Sequence, residues 1–170
     1  MEMILNLIIG IAALSVVVAI AGTVNLIMRD KKIDPLVGKI SFRETMDLVD
    51  LPIVTFKNND KKFNFLLDTG ANFSTLNHSN LKDLEYLNVE DKGTYSGIDG
   101  IELESSFVMM DVSYKEKVYT DIFQVIDLDA AFDSIKAESG IKLHGIIGNS
   151  FFQKYKYVLN FDELVAYPLL

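Results

Sequence analysis

The chain has 170 residues, of which 49% are hydrophobic, and its formal net charge is −8 at pH 7. An acidic chain without a basic aromatic patch lacks the features that bind nucleic acid, so we expect no nucleic-acid partner. Cysteine is absent, which excludes a disulfide framework, a thiol nucleophile and a cysteine metal site. The apolar residues are unevenly spread along the chain, with the longest uncharged run near its start.

The first segment is an apolar stretch, residues 3–28, without a single charged side chain. As an α-helix it would be about 39 Å long, more than the roughly 30 Å of a bilayer's hydrocarbon core. We therefore predict a transmembrane anchor over residues 1–28 that contacts the lipid bilayer through residues 3–28. The alternative is a cleaved secretory signal. Ala19-Ile20-Ala21 has the form of a cleavage site, but the basic region that precedes the apolar core of a signal peptide is missing.

The residues after this stretch indicate its orientation. Arg29-Asp30-Lys31-Lys32 follows directly, whereas only the terminal amine supplies positive charge before it. The positive-inside rule then predicts a single-pass membrane protein whose soluble domain is cytoplasmic. We expect residues 29–50 to be a juxtamembrane connector, because Pro35 and Gly38 interrupt regular structure there.

From residue 51 onward the pattern predicts a mainly β domain. Short apolar and β-branched runs alternate with Gly, Asn, Asp and Lys turns. One short helix is expected after Ser79 and another over residues 129–136, ending near Gly140. Many short strands with few helices favour a small barrel or sandwich. The predicted strands are 51–56, 63–67, 92–98, 101–114, 118–126, 157–161 and 165–169.

An apolar strand that ends in a carboxylate, Phe63-Asn64-Phe65-Leu66-Leu67-Asp68, is the most informative feature of this domain. A carboxylate at the end of a buried strand is costly unless it is hydrogen-bonded or put to use. Gly70 allows a sharp turn close to it, and Thr69, Ser74 and Thr75 offer hydroxyl donors. The alternative to a functional role is a loop aspartate that those hydroxyls satisfy.

Asp68-Thr69-Gly70-Ala71, followed by Asn72-Phe73-Ser74-Thr75, resembles the active-site turn of the aspartic proteases, most closely the single-lobed, retropepsin-like family. The segment His144-Gly145-Ile146-Ile147-Gly148-Asn149-Ser150-Phe151-Phe152 resembles the family's apolar-apolar-glycine element. In the family that element threads beneath the catalytic turn and ends in a short helix. The resemblance covers residues 51–170 and implies a retropepsin-like acid-protease β-barrel there, with one or two short helices.

The resemblance also implies a role for each residue of the turn. Asp68 would share a proton with a second carboxylate and activate the attacking water. Thr69 would hydrogen-bond across a dimer, and Gly70 would offer its carbonyl to the substrate. Asn72 stands where retropepsins carry an aspartate that grips the substrate backbone. Supporting positions are implied for Ala71 and Ser74 at the turn, and for Ile146, Ile147 and Gly148 beneath the catalytic loop.

Retropepsins also close a glycine-tipped hairpin, the flap, over the substrate. Tyr95-Ser96-Gly97-Ile98-Asp99-Gly100 is the candidate, because two glycines three apart suit a mobile hairpin tip. Gly97, Ile98 and Gly100 would then contact substrate. The alternative is an ordinary surface hairpin.

The chain contains one Asp-Thr-Gly, so the resemblance implies that the second carboxylate comes from another copy. This makes the predicted protein a homodimeric, membrane-anchored aspartic endopeptidase that acts on polypeptides and needs no cofactor. The alternative is a catalytically silent retropepsin-like dimerisation or interaction domain at the membrane. His78 and His144 are the only histidines and lack further ligands at metal-like spacing, so no metal site is expected.

Overall fold

The structure, a computed structural model, describes residues 38–96 and 102–169. The predicted anchor over residues 3–28 lies outside them, and within the described part no helix is long and apolar enough to cross a membrane. The described strands are β1 Ile40–Ser41, β2 Ile53–Asn58, β3 Lys61–Leu67, β4 Thr75–Asn77, β5 Leu87–Ser96, β6 Glu102–Tyr114, β7 Lys117–Ile126, β8 Gly145–Ile147, β9 Tyr157–Asn160 and β10 Val165–Pro168. The helices are α1 Arg43–Val49, α2 Asp129–Ser139, α3 Asn149–Tyr155 and a 3₁₀ helix His78–Asp83.

Seven strands form one sheet in the order β2-β3-β8-β4-β7-β6-β5. An additional pairing of Lys57 in β2 with Ser113 in β6 closes six of these strands into a barrel, which confirms the prediction of a mainly β barrel with short helices. Most pairs are antiparallel, but β3 and β8 run parallel to each other, as do β4 and β7. Closure leaves the barrel strands without free edges.

The barrel core follows from the period-two alternation of its strands. In β3, Phe63, Phe65 and Leu67 are buried while the residues between them are partly exposed. The rings of Phe65 and Phe56 meet edge to face with centroids 5.8 Å apart. This packing fixes β3, and therefore fixes the point at which the chain leaves the barrel at Asp68.

The folded unit begins earlier than the expected boundary at residue 51. It extends from Gly38, and residues 38–50 add β1 and α1 instead of a plain connector. β1 pairs with β10, which pairs with β9 in a second, three-stranded sheet. The reason is that the apolar residues of this segment alternate with polar ones, so Ile40 and Phe42 both face the core and are 1% exposed.

The other elements differ from their predictions mainly at the ends. The short helix expected after Ser79 is the 3₁₀ helix His78–Asp83, which begins one residue before Ser79. Helix α2 is longer than predicted and does end at Gly140, which takes the left-handed conformation at φ 74°. Glycine adopts this conformation without steric cost, so the stop signal read from the sequence is confirmed.

We expect Phe42→Ala to lower the free energy of unfolding by about 3–5 kcal/mol, because it removes a buried ring that packs 5.5 Å from the ring of Phe161. The measurement is urea unfolding of the full chain in detergent, followed by circular dichroism. Leu48→Ala in α1, where the side chain is exposed, is the matched control and should stay within about 0.5 kcal/mol of the parent. Equal stabilities of both variants would show that residues 38–50 do not belong to the core.

Candidate active site

Asp68 lies at the end of β3, where backbone groups hydrogen-bond both its amide and its carboxylate. β3 pairs with β8 up to Leu67 opposite Ile147, and the amide of Asp68 then donates to the carbonyl of Ile147 at 3.0 Å. The carboxylate is half-buried and accepts the amide N–H of Gly70 at 2.8 Å. The chain thus turns around the carboxylate and binds it with its own backbone, as aspartates in tight turns do.

The three hydroxyls expected to hold this carboxylate have other roles. Thr69 is exposed, Ser74 donates to the buried carboxylate of Asp121 at 3.2 Å, and the hydroxyl of Thr75 is buried without a hydrogen-bond partner among the described residues. The expectation was wrong: the hydrogen bond to this carboxylate comes from the Gly70 amide, two residues after it, and Ser74 is bonded to Asp121 instead.

The turn rests on the start of α3. The amides of Asn149 and Ser150, which a helix leaves free in its first turn, donate to the carbonyls of Ala71 at 2.7 Å and Asn72 at 3.1 Å. The Ser150 hydroxyl in turn accepts the amide N–H of Ser74 at 3.1 Å. Three residues of the turn, Ala71, Asn72 and Ser74, are therefore hydrogen-bonded to the start of one short helix.

Two glycines of the second sequence element permit this close approach. A Cβ on Gly148 would lie 2.2 Å from the carbonyl oxygen of Phe73, and a Cβ on Gly145 would lie 2.4 Å from that of Thr75. Both distances are far below contact, so only glycine fits. Ile147 is fully buried, and Ile146 packs on a smaller apolar cluster. The structure thus places residues 146–148 directly against the turn.

The opposite side of the turn is open. Thr69, Gly70 and Asn72 are exposed, and Phe73 is 50% exposed although its ring meets that of Phe107 edge-on at 6.1 Å. The candidate substrate residues Gly97, Ile98 and Gly100 lie outside the described residues. The strands that lead to them, β5 and β6, are paired up to Ser96 opposite Glu102.

Comparison with known proteins agrees with this geometry. A family model described as aspartyl protease matches residues 54–151, which is more than half of the chain. The chain belongs to the aspartyl protease family. With one barrel and one Asp-Thr-Gly turn, the described part of the chain resembles the single-lobed, retropepsin-like kind. A solved structure of EIAV protease complexed with the inhibitor HBY-793 is 22% identical, with a TM-score of 0.48, and the match covers 64% of this chain and 90% of that one. No curated protein matches the chain.

Sequence reasoning missed two polar groups beneath the turn. One is Ser150, whose hydroxyl holds the turn's backbone, and the other is Asp121, which binds Ser74. The signal for Asp121 was present, because the residue stands between Tyr119 and Phe123 at an inward-facing position of the predicted strand. A charge at a core position indicates a specific buried partner.

Burial shifts the pKa values of two side chains, Asp121 and His144, in the directions that disfavour their charged forms. Burial raises the pKa of Asp121, although the Ile122 amide, Lys154 and Ser74 act against that shift. Burial lowers the pKa of His144, and the positive charge of Lys142 lowers it further. The Nδ1 atom of His144 accepts the amide N–H of Asn64 at 2.9 Å, which identifies it as a neutral, structural histidine. Among the described residues, no group of three or more His, Cys, Asp or Glu side chains could hold a metal ion.

We expect Asp121→Asn to gain stability relative to the parent as the pH rises from about 4 towards neutrality. Because the folded pKa of Asp121 is raised, its contribution to stability is fully present below the unfolded pKa and is lost as the pH rises through the folded pKa. Asparagine does not titrate, so the stability of the variant does not fall with rising pH for this reason. The measurement is the free energy of unfolding of both chains at several pH values. Asp60→Asn, an exposed turn substitution, is the control, and a parent-to-variant difference that does not change with pH would contradict the prediction.

Gly148→Ala should destabilise the protein by about 3 kcal/mol or more, since the added methyl overlaps backbone that cannot move without shifting the turn. The comparison is Gly140→Ala, whose Cβ would meet nothing within 4 Å but whose positive φ strains alanine; this should cost only about 1 kcal/mol. Thermal unfolding of both variants tests the difference. If Gly148→Ala lost less stability than Gly140→Ala, the backbone beneath the turn would have room for a methyl group, which would contradict the prediction.

Proposed function

We propose that this protein is a membrane-anchored aspartic endopeptidase that hydrolyses peptide bonds as a homodimer, with Asp68 paired to Asp68 of the partner subunit. The observation that carries the proposal is the contrast between the two sides of the turn. Its lower side is hydrogen-bonded to the β8–α3 segment through the backbone of Asp68, Ala71 and Asn72. On the other side, Thr69, Gly70 and the Asn72 side chain are exposed. The exposed side of the turn is therefore free to pack against the same turn of a second subunit.

The chemistry requires two carboxylates. One must be ionised to take a proton from the attacking water, and the other must be protonated to polarise the peptide carbonyl. Two carboxylates about 3 Å apart cannot both ionise, so their pKa values separate and both roles are filled. Asp68 has one carboxylate oxygen held by the Gly70 amide, which orients the group before a partner arrives.

The exposed residues of the turn have complementary roles in this proposal. Thr69 hydrogen-bonds across the dimer, and Gly70 presents its carbonyl to the polypeptide substrate. Asn72 uses its carbonyl to hold Ser150, which leaves its exposed side chain for the substrate backbone. The hairpin tip with Gly97, Ile98 and Gly100 would close over the bound peptide.

The anchor belongs to the same proposal. A helix over residues 3–28 would hold the protein in the bilayer, with the basic residues after it on the cytoplasmic side. Two copies confined to one membrane meet at a higher effective concentration than free copies would. Because only the dimer contains both carboxylates, anchoring would raise activity by favouring dimer formation.

The dyad can be tested by mixing subunits. Parent and Asp68→Asn chains are combined in varied ratios, reconstituted together in liposomes, and assayed with fluorescently labelled casein. A site built from two Asp68 side chains requires two parental subunits, so activity should fall as the square of the parental fraction. An equal mixture should retain about one quarter of the activity, if subunits assort at random.

Asp60→Asn in the exposed turn between β2 and β3 is the matched control, and the same mixtures should keep full activity. A linear decline with the parental fraction would mean that each chain works alone, which ends the dimeric mechanism. Equal inertness of the parent and Asp68→Asn, in a verified dimer across acidic and neutral pH, would identify a silent interaction domain instead.

A further inference from the structure

Asp121 is a buried carboxylate that the peptide-bond chemistry proposed above does not use. It lies on β7 between Tyr119 and Phe123, faces the barrel interior and is 4% exposed. An ionised carboxylate in such a place is costly unless it is paired and hydrogen-bonded, and an apolar side chain would fill the same space without that cost. The contacts of Asp121 therefore indicate what it does.

The side-chain contact with Ser74 is buried, and the Ile122 amide also favours the ionised carboxylate. Oδ2 accepts the hydroxyl proton of Ser74 at 3.2 Å. Oδ1 lies 3.5 Å from the Nζ of Lys154, which is about half exposed and also donates to the carbonyl of Thr120. Tyr155 is the other titratable group that faces Asp121, and its hydroxyl donates to the same carbonyl. Ser74 is thus the partner that Asp121 controls most directly.

The Ser74 hydroxyl has a single proton, and Asp121 fixes where it points. With that proton directed to the carboxylate, a lone pair of the same oxygen accepts the amide N–H of Gly148 at 3.2 Å. Hydrogen bonds to a charged group are stronger than neutral ones, and bonds in series polarise one another. Without the carboxylate the hydroxyl is free to turn, and the Gly148 amide loses its fixed acceptor.

Gly148 is placed where a small movement reaches the catalytic carboxyl. It directly follows Ile147, whose carbonyl accepts the amide N–H of Asp68 at 3.0 Å. Its own backbone is packed against that of Phe73 so closely that not even a methyl group fits. A chain of contacts therefore leads from Asp121 through Ser74 and Gly148 to Asp68.

We propose that Asp121 is a positioning residue, whose carboxylate orients the Ser74 hydroxyl and so fixes Gly148 and the turn that carries Asp68. An effect of Asp121 on catalysis rests on the proposed function. Its effect on the position of Gly148 does not depend on that function, so the two effects are tested by separate measurements.

The kinetic test compares variants per active site, counted by titration with a statine-containing peptide that mimics the hydrated peptide bond. Asp121→Ala removes the acceptor, and kcat should fall by about 10- to 100-fold with little change in KM, the loss typical of a catalytic group moved by a fraction of an ångström to 1 Å. Asp121→Asn keeps an acceptor oxygen and should retain most of kcat. The double variant Asp121→Ala with Ser74→Ala should be no slower than Ser74→Ala alone, since both act through one contact.

A stability control separates positioning from general damage. The buried Asn58 side chain binds the backbone of Glu85 and of Asp111 at the end of β2. It lies about 20 Å from the turn by the length of β3. Asn58→Ala should destabilise the fold and leave kcat per active site unchanged. A kcat loss as large in Asn58→Ala as in Asp121→Ala would overturn the proposal.

The second measurement follows the Gly148 amide by NMR in the full chain labelled with ¹⁵N-glycine, and it needs no Asp121 variant. Its chemical shift should titrate with Asp121 in the parent and in Asp68→Asn, and this titration should vanish in Ser74→Ala. A Gly148 amide that does not respond to that ionisation would refute the link between Asp121 and the loop. Absence of cleavage by every chain, with the Gly148 titration intact, would refute the proposed peptidase while the positioning of the loop stands.

Discussion

The close contact between the Asp68 turn and the β8–α3 segment is the constraint on which the site depends. It begins with the parallel pairing of β3 and β8, which brings Leu67 beside Ile147. Backbone hydrogen bonds then continue the pairing past the end of both strands, into the turn and the first residues of α3. Glycine at position 148 is required because the two backbones touch. The carboxylate is therefore placed by the barrel's own register and not by a flexible loop.

The resemblance to the aspartic proteases implied this contact, and both halves of it could be recognised because each is a local pattern. An apolar strand ending in Asp68-Thr69-Gly70, and an apolar pair ending in Gly148, are visible without any knowledge of their separation in space. Asp121 gives no comparable local signal, since its partner Ser74 is 47 residues away. Only the alternation of its strand marks it as buried, and alternation does not say which distant hydroxyl a buried carboxylate meets.

The domain boundary was harder to predict for a related reason. β1 has two residues, too few for a periodic pattern, and it is stabilised by pairing with β10 at the far end of the chain. Pro35 and Gly38 suggested a connector, yet the same stretch supplies Ile40 and Phe42 to the core. A short strand defined by a distant partner is fixed by tertiary contacts, which local propensity cannot represent. The transmembrane anchor over residues 1–28 was predicted from composition alone, and it stays a prediction.

The two sides of the Asp68 turn explain how the turn can be stable in a single copy of the chain. The Asp68 amide and the carbonyls of Ala71 and Asn72 are hydrogen-bonded to the β8–α3 segment, and the Thr69 and Asn72 side chains on the other side are exposed to solvent that can satisfy them. A single copy therefore carries no unpaired buried charge at the turn, because its carboxylate is only half-buried and already binds the Gly70 amide. Association of two such copies would bring together turns that are already ordered, so little conformational entropy would be lost at the site itself. The cost of dimerisation would then be concentrated in bringing two carboxylates together, and a shared proton relieves that cost while it creates the acid and the base that hydrolysis needs.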